Sequence, residues 1–400
     1  MADDLMFGAR LRLRRERAGK TRKVLGGLVG RSEEWVKALE RGTIQMPRLP
    51  MLLRLADVLG VQDLAELTGG KELPVAALTK NAHGGLEAVR DAMISYRLPD
   101  VDSSLSLDGL ARRVAQAWRV WHGTSEHRTA LAALLPDLLR DVRAAARGAD
   151  DRRRALQLLV QVHHLAQVYL AFQPAPELVW TAADRALSAA YDADCLTSIA
   201  GAAWYTAQVH QATGQADKAV QIALDAARLL PGLDTPDKEL RSSYGLTHLA
   251  ASWAYATLGE EGPAWREWDL ADTAARSLGD DYAHPSLMFG RGIVDAYAML
   301  LDTDLFHTGR AVERASRIDL DAIPSRTRRA VHALNAARAH RLRKEHFAVL
   351  HLIGQAYQHS SETVRYRPWA RETVLDLMHK GGPGVRSAAL EMASKVGVTD

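Results

Sequence analysis

The segment that most constrains the fold runs from Thr21 to Gly42 and reads TRKVLGGLVGRSEEWVKALERG. Thr21 and Ser32 are residue types that cap the first turn of a helix, and Gly30 lies between the two helices that they would begin. Glycine tolerates the positive φ of a tight turn, and Gly42 stands where a helix commonly ends. The segment therefore predicts two short helices joined by a tight turn.

The apolar residues indicate which face each of these helices buries. We expect inward-pointing side chains at Val24, Leu25 and Leu28 in the first helix, and a buried stripe of Trp35, Val36 and Leu39 in the second. Two short helices at such a turn form a helix-turn-helix, the smallest common device that places a helix in the DNA major groove. Gly26 and Gly27 are unfavourable here, since a glycine inside a helix costs about 1 kcal/mol relative to alanine.

Helical patterns flank this segment on both sides. Phe7 to Ala18 predicts a preceding helix and Leu49 to Leu59 a fourth helix, each followed directly by a glycine. The stretch from Arg10 to Lys23 contains eight basic residues and one acid, Glu16. A basic face on a small domain suits contact with phosphates, although a solvated helix face can have the same composition.

The residues from Phe7 to Leu67 resemble the lambda-repressor-like, or Xre-type, DNA-binding domain, above all in SEEWVKALERG and LLRLADVLGV. The resemblance implies that the third helix enters the major groove of a double-stranded DNA operator. It also implies a set of DNA-contacting residues, namely Arg22, Lys23, Ser32, Glu33, Glu34, Lys37 and Arg41, with Ala38 facing the bases as well.

The chain departs from this family at Arg22, where the family has glutamine, and at Arg14 and Lys20, where it has apolar residues. The reading helix also begins with two acids, Glu33 and Glu34. A glutamate can accept a hydrogen bond from N4 of cytosine, but both acids could instead serve only the helix dipole. Because this helix is acidic, it stays possible that the domain is retained for contact with a protein instead of DNA.

We divide the chain into three parts on composition and pattern. Residues 1–70 hold the helix-turn-helix, residues 71–106 form a linker with a short helix between His83 and Tyr96, and residues 107–400 hold a helical array. From Leu107 onward one helix pattern follows another with short breaks, and no strand alternation occurs. The sequence therefore predicts an all-α protein.

A repeated pair of helices is visible in WYTAQVHQATGQADKAVQIALDAARLLP and again between Leu246 and Ala271. Gly214 and Gly259 stand at the turns of these two pairs. Weaker copies, spaced by about 40–45 residues, centre on Pro174, Thr303 and Arg343. The pattern resembles the tetratricopeptide repeat, which implies an α-solenoid whose helix pairs touch only their neighbours and form a concave inner face.

The first helix of each pair lines the concave face of a tetratricopeptide array. The resemblance therefore implies candidate ligand-binding residues at His164, Trp204, Gln208, Gln211, Trp253, Tyr297 and His340. Aromatic rings beside glutamine and histidine suit a peptide or a small molecule with polar and apolar parts. The alternative for each aromatic residue is a place in the core.

Other chemistry finds no support in the sequence. There is no Walker-type phosphate loop and no zinc-protease spacing, and the adjacent His163 and His164 cannot share one metal on one helix face. A single cysteine, Cys195, allows neither an internal disulfide nor a cysteine metal cluster. No apolar run reaches the roughly 18 residues that span a bilayer, and no signal peptide is evident. We expect no catalytic residue, no cofactor, no metal, and a cytoplasmic protein without a membrane partner.

The layout of the whole chain is similar to that of the peptide-sensing quorum regulators of Gram-positive bacteria. The closing stretch SETVRYRPWARETVLDLMHK also resembles the ends of actinomycete regulators. The resemblance implies a transcriptional regulator whose array forms a homodimer, senses a small molecule or peptide, and carries the DNA-binding heads. The alternative is a protein-interaction regulator that controls another protein through the array, without sequence-specific DNA binding.

Overall fold

The computed structural model describes residues 2–44, 46–47, 49–61, 63–69, 82–95, 106–320 and 322–398. Every regular element in these ranges is a helix and no strand is found there, so the all-α prediction is confirmed. The chain divides into two compact units, one of residues 1–81 with 367–400 and the other of residues 82–366. In the described ranges no helix is long and apolar enough to cross a membrane. The three-part division made from the sequence stays a prediction.

The helices are numbered along the chain. The N-terminal residues form α1 (Ala2–Arg17), α2 (Arg22–Leu28), α3 (Glu33–Glu40), α4 (Leu49–Leu59) and α5 (Ala65–Thr68). The second unit contains α6 (Leu86–Ile94), α7 (Leu107–Gly123), α8 (His127–Ala132), α9 (Leu135–Gly148), α10 (Arg152–Leu170), α11 (Pro176–Asp192), α12 (Leu196–Ala212), α13 (Ala216–Arg228), α14 (Lys238–Leu258), α15 (Glu261–Leu278), α16 (Arg291–Asp304), α17 (Thr308–Arg317), α18 (Arg326–Leu342), α19 (His346–His359) and α20 (Ser361–Arg365). The last two helices are α21 (Pro368–Lys380) and α22 (Pro383–Val396), which pack against each other.

Side-chain caps begin both helices of the predicted helix-turn-helix. The Thr21 hydroxyl accepts a hydrogen bond from the backbone N–H of Val24 at 3.2 Å, and the Ser32 hydroxyl accepts one from Trp35 at 3.2 Å. Gly30 turns the chain between the two helices with a φ of 71°. These caps satisfy backbone donors that a helix start otherwise leaves unpaired, and they place the starts of α2 and α3 where the sequence predicted them.

The N-terminal core is built mainly from residues of α1 to α5: Phe7, Leu11, Leu25, Val29, Val36, Leu39, Leu55, Ala56 and Leu67. The inward direction predicted for Val24 and Leu28 is wrong, because these side chains are 49% and 58% exposed. Helix α2 has only 7 residues, and such a short helix offers the core one narrow face. That face carries Leu25 and, one turn later, Val29. Trp35, which we also expected to be buried, is half-buried.

The short helix predicted within the linker is present as α6. It packs against α9, where the guanidinium of Arg143 donates a hydrogen bond to the Ala92 carbonyl of α6 at 3.2 Å. Helix α6 therefore belongs to the second unit. The remaining predicted linker residues, 71–81 and 96–105, lie outside the described residues.

Helices of the second unit pack in sequential pairs, as the repeat pattern predicted. The pairs are α10 with α11, α12 with α13, α14 with α15, α16 with α17, and α18 with α19. Their connections fall at or close to the repeat centres found in the sequence: Pro174, Gly214, Gly259, Thr303 and Arg343. Buried alanines such as Ala203 and Ala219 allow the paired helices to approach closely.

The first helices of these pairs do not form an open series. Helix α7 packs against α10, and α10, α12, α14, α16 and α18 each pack against the next helix of that order. Helix α18 then packs back against α7, so that the contacts of these helices form a closed circuit. The expectation that helix pairs touch only their neighbours in sequence is therefore wrong for this unit.

Polar contacts hold the junction at which this circuit closes. His122 of α7 has its Nδ1 2.8 Å from the hydroxyl of Ser325, the cap of α18, and its Nε2 3.0 Å from the carbonyl oxygen of Ser286. Because a carbonyl can only accept, Nε2 carries the proton and Nδ1 accepts from the Ser325 hydroxyl. Burial lowers the pKa of His122 to about 4, so the ring is neutral and fits this pattern at neutral pH.

Candidate nucleic-acid interface and ligand clefts

The outward face of α3 carries residues that the sequence placed at the DNA. Glu33, Glu34 and Arg41 are exposed, Lys37 is half-buried, and the Ser32 hydroxyl is occupied as the helix cap. The Lys37 ammonium lies 3.2 Å from both carboxylate oxygens of Glu34, one turn earlier. A surface pair of this kind is worth less than about 1 kcal/mol, so Lys37 can exchange Glu34 for a phosphate or a base edge at little cost.

Glu40, at the end of α3, is a buried acid that the sequence analysis did not single out. Its side chain is 2% exposed, and its carboxylate accepts hydrogen bonds from Nε of Arg15 at 2.5 Å and from Nε of Arg22 at 2.6 Å. Arg15 also donates to the carbonyl of Lys20 at 2.8 Å. Glu40 follows the buried Val36 by four residues, so its place on the apolar face of α3 was the signal for its burial.

Arg22 therefore has a structural role that the DNA-binding prediction did not include. Its bond to Glu40 ties the first turn of α2 to the last turn of α3. The Arg22 side chain is still 33% exposed, which leaves part of the guanidinium open to a phosphate. The next residue, Lys23, is exposed. A contact of either residue with DNA stays a prediction.

The basic stretch of α1 is partly neutralised within the N-terminal residues. Nε of Arg12 donates to the carboxylate of Glu16 at 2.9 Å. Arg14, one of the two charges at positions where the family is apolar, forms an ion pair with Glu66 of α5. The ion pair of Arg14 thus connects α1 to α5. Some of the eight basic residues of this stretch are therefore paired within the domain and are not all equally available to a nucleic acid.

Exposed apolar side chains lie among these charged residues. Val24 and Leu28 are one helical turn apart on α2 and share its outer face. Ile44 and Met46, which follow α3, are 36% and 43% exposed. Single exposed apolar residues are ordinary, but two on one short helix form a surface suited to protein contact.

The structure separates the predicted ligand-binding residues into two environments. Trp204 and His164 are only 1% and 4% exposed, while Gln208, Gln211, Trp253, Tyr297 and His340 are half-buried. The ring of Tyr297 lies 5.8 Å from that of Trp204 and 6.0 Å from that of Trp253, so these three aromatic residues are brought together. Their role in binding a ligand stays a prediction.

Several of these side chains have hydrogen-bond partners within the protein. Nε1 of Trp253 donates to the carboxylate of Asp304 at 3.0 Å, and the amide oxygen of Gln211 accepts from Thr257 at 2.8 Å. His340 lies elsewhere, at a cleft between α17, α18 and α19, with its Nδ1 2.5 Å from the carboxylate of Glu345. The predicted set is therefore not one site.

Three of the predicted ligand-binding residues have a buried polar atom that lacks a partner within the described residues. The atoms are Nε2 of His164, Nε1 of Trp204 and the amide nitrogen of Gln208. Burial lowers the pKa of His164 to about 3, which keeps its imidazole neutral. Buried polar groups are nearly always hydrogen-bonded, so these atoms mark a place where a water molecule or a ligand would be stabilised.

The clefts on the second unit include two that are open to solvent. One, of about 280 Å³, is formed by α11, α12 and α13 and includes His210, Lys218 and Asp225. The other, of about 480 Å³, is formed by α17, α18 and α19 and includes His332 and His340. Among the residues that the structure describes, no group of three or more His, Cys, Asp or Glu is placed to hold a metal ion.

Residues 6–68 match the family model of a helix-turn-helix domain. This part of the chain is a helix-turn-helix domain. It contains α2, α3 and every residue that the sequence placed at the DNA. No curated protein matches the chain.

A solved structure, the apo form of the competence regulator ComR from Streptococcus vestibularis, is similar to the chain at 13% sequence identity. The similarity covers 83% of this chain and 98% of that one, with a TM-score of 0.34. A similarity at this level assigns no function to the residues beyond the helix-turn-helix domain.

Proposed function

We propose that the protein is a DNA-binding transcriptional regulator whose helical array forms a homodimer and senses a small molecule or peptide. The observation that carries the proposal is the helix-turn-helix domain at residues 6–68, with charged residues on the outer face of α3. The sequence-level expectation that the protein is not an enzyme is part of the same proposal.

In this proposal α3 lies in the major groove and α2 crosses the DNA backbone. Lys37 and Arg41 contact phosphates or base edges, and Glu33 or Glu34 accepts a hydrogen bond from cytosine N4. Lys23 meets the phosphates beside the start of α2. The bond between Arg22 and Glu40 supports the interface by fixing the angle between the two helices.

Dimerisation is proposed because one helix-turn-helix head makes a small interface with DNA. Specific binding is usually obtained from two half-sites about one helical turn apart. The array of the second unit offers the larger surface for holding two heads together. Sedimentation of the full chain at micromolar concentration should give a dimer, and a monomer at that concentration would contradict this part of the proposal.

Sensing is proposed for the array because it carries both clefts and buried polar atoms without partners. The buried atoms on His164, Trp204 and Gln208, which line neither cleft, would bond a ligand without first breaking a bond to a described residue. The two clefts are within or near the size range of small-molecule sites, which runs from about 300 to 1,000 Å³. Coupling of a ligand to DNA affinity is typically about 1–3 kcal/mol, or roughly 5- to 150-fold.

A protein-interaction regulator is the second candidate function, and one specific observation favours it. Val24 and Leu28 expose an apolar face on α2, and the next helix, α3, begins with two acids, Glu33 and Glu34. A partner with a complementary apolar and basic surface would fit this face. In that case the domain would bind a protein in place of DNA.

The test is fluorescence anisotropy of a labelled duplex from the region upstream of the protein's own gene, titrated with the full chain at low and moderate salt. We expect binding that weakens as salt rises, because each phosphate contact releases counterions. Lys37→Ala and Arg41→Ala should weaken binding, whereas Lys395→Ala, in α22, should not. Equal affinity for the upstream duplex and a scrambled duplex would favour the protein-interaction alternative.

A further inference from the structure

The larger cleft is lined by both apolar and polar side chains. Val312, Ile318, Leu320 and Leu352 supply apolar surface from α17, α19 and the segment after α17. The amides of Gln355 and Gln358 lie on the α19 side. With about 480 Å³ of space, the cleft accommodates a molecule larger than a few waters.

One buried polar group in this cleft has no partner. His332 of α18 is 4% exposed, and its Nδ1 makes no hydrogen bond within the described residues. Burial lowers the pKa of His332 to about 4, so the imidazole is neutral at neutral pH. A buried imidazole nitrogen without a partner leaves part of its desolvation cost uncompensated, and a ligand that bonds it would remove that cost.

The charges around the cleft indicate which molecules it accepts. Its lining residues include neither lysine nor arginine, and their charged member is Asp319. His340 at the same cleft is already bonded to Glu345. The guanidinium of Arg326, next to the cleft, donates hydrogen bonds to the carbonyls of Gln358 and His359 at 2.9 Å. The lining side chains themselves offer an anionic ligand no counter-charge for its lost hydration, so a neutral molecule fits better.

The smaller cleft offers an internal comparison. It occupies the same place in an earlier repeat. The turn residues Gly214 and Lys344 both have positive φ, of 75° and 62°, and aligning the two repeats at these residues makes His210 the equivalent of His340. The same alignment places Ala202 opposite His332. The smaller cleft therefore has no imidazole at the position of His332, although Nδ1 of its His210 is also buried without a partner in the described residues. The imidazole at His332 is thus a feature of the larger cleft that the repeat does not require.

We propose that the cleft between α17, α18 and α19 binds a neutral, mainly apolar molecule whose hydroxyl or amide group hydrogen-bonds to His332. As the effector site of a regulator it deepens the proposed function and rests on it. Binding to the cleft itself does not depend on DNA, so the two claims can fail separately.

The first experiment measures binding of Nile red, a neutral apolar fluorophore, to the full chain. We expect saturable binding that Ser316→Trp weakens by about tenfold or more, because Ser316 is an exposed lining residue and a bulky ring there obstructs the entrance. The matched control is Gln221→Trp, an exposed lining residue of the smaller cleft, which should leave the affinity unchanged. Loss in both variants, or in neither, overturns the proposal.

The second experiment tests the role of His332 with two competitors of similar length, 1-decanol and 1-chlorodecane. The hydroxyl should give decanol an advantage of about fivefold in displacing Nile red, which corresponds to one net hydrogen bond. His332→Phe keeps a ring of similar size and should abolish the advantage while Nile red still binds. An advantage that persists in His332→Phe overturns the assignment of His332.

A third measurement separates this proposal from the proposed function. Decanol is added to the complex of the full chain with its upstream duplex, and the DNA affinity is measured in the parent and in Ser316→Trp. A change in the parent that is absent in Ser316→Trp supports an effector site. If the chain binds no DNA but the expected results for Nile red binding and for its displacement by decanol are obtained, the proposed regulator function is refuted and the proposed binding site is supported.

Discussion

The carboxylate of Glu362 accepts a hydrogen bond from the hydroxyl of Thr129 at 2.5 Å, although 233 residues separate them in the chain. The same carboxylate accepts from the backbone N–H of Arg128 at 2.5 Å and from that of Thr129 at 3.2 Å. Burial alone would raise the pKa of Glu362, but the imidazole of His83, 3.6 Å away, and the hydrogen bonds from Thr129 and Arg128 outweigh burial and lower it. Glu362 thus holds α20 on α8 as an ionised, fully bonded acid.

Replacing this acid should destabilise the second unit. Glu362→Gln keeps the side-chain shape but puts an amide N–H₂ against groups that donate, and it removes the charge beside the buried Arg128. We expect the free energy of unfolding to fall by about 3–5 kcal/mol, as when one partner of a buried pair is lost. Urea unfolding followed by circular dichroism measures this. Glu391→Gln is the control, since Glu391 is exposed in α22 and pairs with Lys395 at 2.9 Å. Equal effects of the two substitutions would contradict the account.

The two adjacent glycines of α2 should respond in opposite directions to alanine. A Cβ at Gly26 would lie 2.8 Å from the carbonyl oxygen of Arg31 and 2.9 Å from that of Ser32, so Gly26→Ala forces the turn apart. A Cβ at Gly27 would meet nothing within 4 Å. Gly27→Ala should therefore stabilise α2 by about 1 kcal/mol, the difference in helix propensity.

Amide hydrogen exchange of residues 22–40 in the full chain measures both effects. Protection should fall in Gly26→Ala and rise in Gly27→Ala, because exchange reports the local opening of these helices. The same direction of change in both variants would show that the close approach at Gly26 does not control this turn.

Substitutions of Arg22 and Lys23 should have different effects, although the two residues are neighbours with the same charge. Arg22→Ala leaves the buried Glu40 with one fewer partner, so it should lower exchange protection in α2 and α3 as well as DNA affinity. Lys23→Ala should leave protection unchanged and reduce the slope of log affinity against log salt by about 1. Weaker DNA binding by Arg22→Ala with full protection would mean that Arg22 acts by touching DNA.

Acid should destabilise the second unit through its buried histidines. Burial lowers the pKa of His163 to about 3 and that of His332 to about 4, from an ordinary value of 6.5. The unfolded chain therefore takes up protons first as the pH falls. The stability from each neutral ring is complete above pH 6.5 and is lost progressively as the pH falls from there towards the folded-state pKa.

Melting temperatures between pH 7.5 and 4.5 test this prediction. His163→Phe removes one of these titrating groups, so the melting temperature of the variant should fall less steeply with pH than that of the parent. His351→Phe is the control, because His351 is exposed on α19. Parallel curves for the parent and His163→Phe would contradict the assignment to His163.

Local features of the fold could be predicted from the sequence because they depend on residues close together in the chain. The caps at Thr21 and Ser32 and the turn at Gly30 involve contacts across three residues or fewer. The helix pairs could be predicted because small residues recur at helical spacing and breaks in the helical pattern, two of them at Gly214 and Gly259, recur at regular intervals. Each of these signals is complete within one segment.

The closure of the array and the burial of individual side chains could not be predicted, because they depend on contacts between residues that are far apart in the sequence. The closure of the array rests on His122 with Ser325, which are 203 residues apart, and on Thr129 with Glu362. The resemblance to the tetratricopeptide repeat implied a ligand surface at Trp204, because it identifies one face of the first helix without saying whether another helix covers that face. Here Trp204 is buried.

The closed circuit of first helices has a consequence for how this array can change in evolution. An open solenoid lengthens or shortens one helix pair at a time, because a new pair needs only to stack on the last one. Here an added or deleted pair would separate α18 from α7 and leave His122 and Ser325 without each other. We therefore expect the closure to constrain the number of repeats, so that relatives of this array vary by substitution and in the loops between helices more than in repeat number.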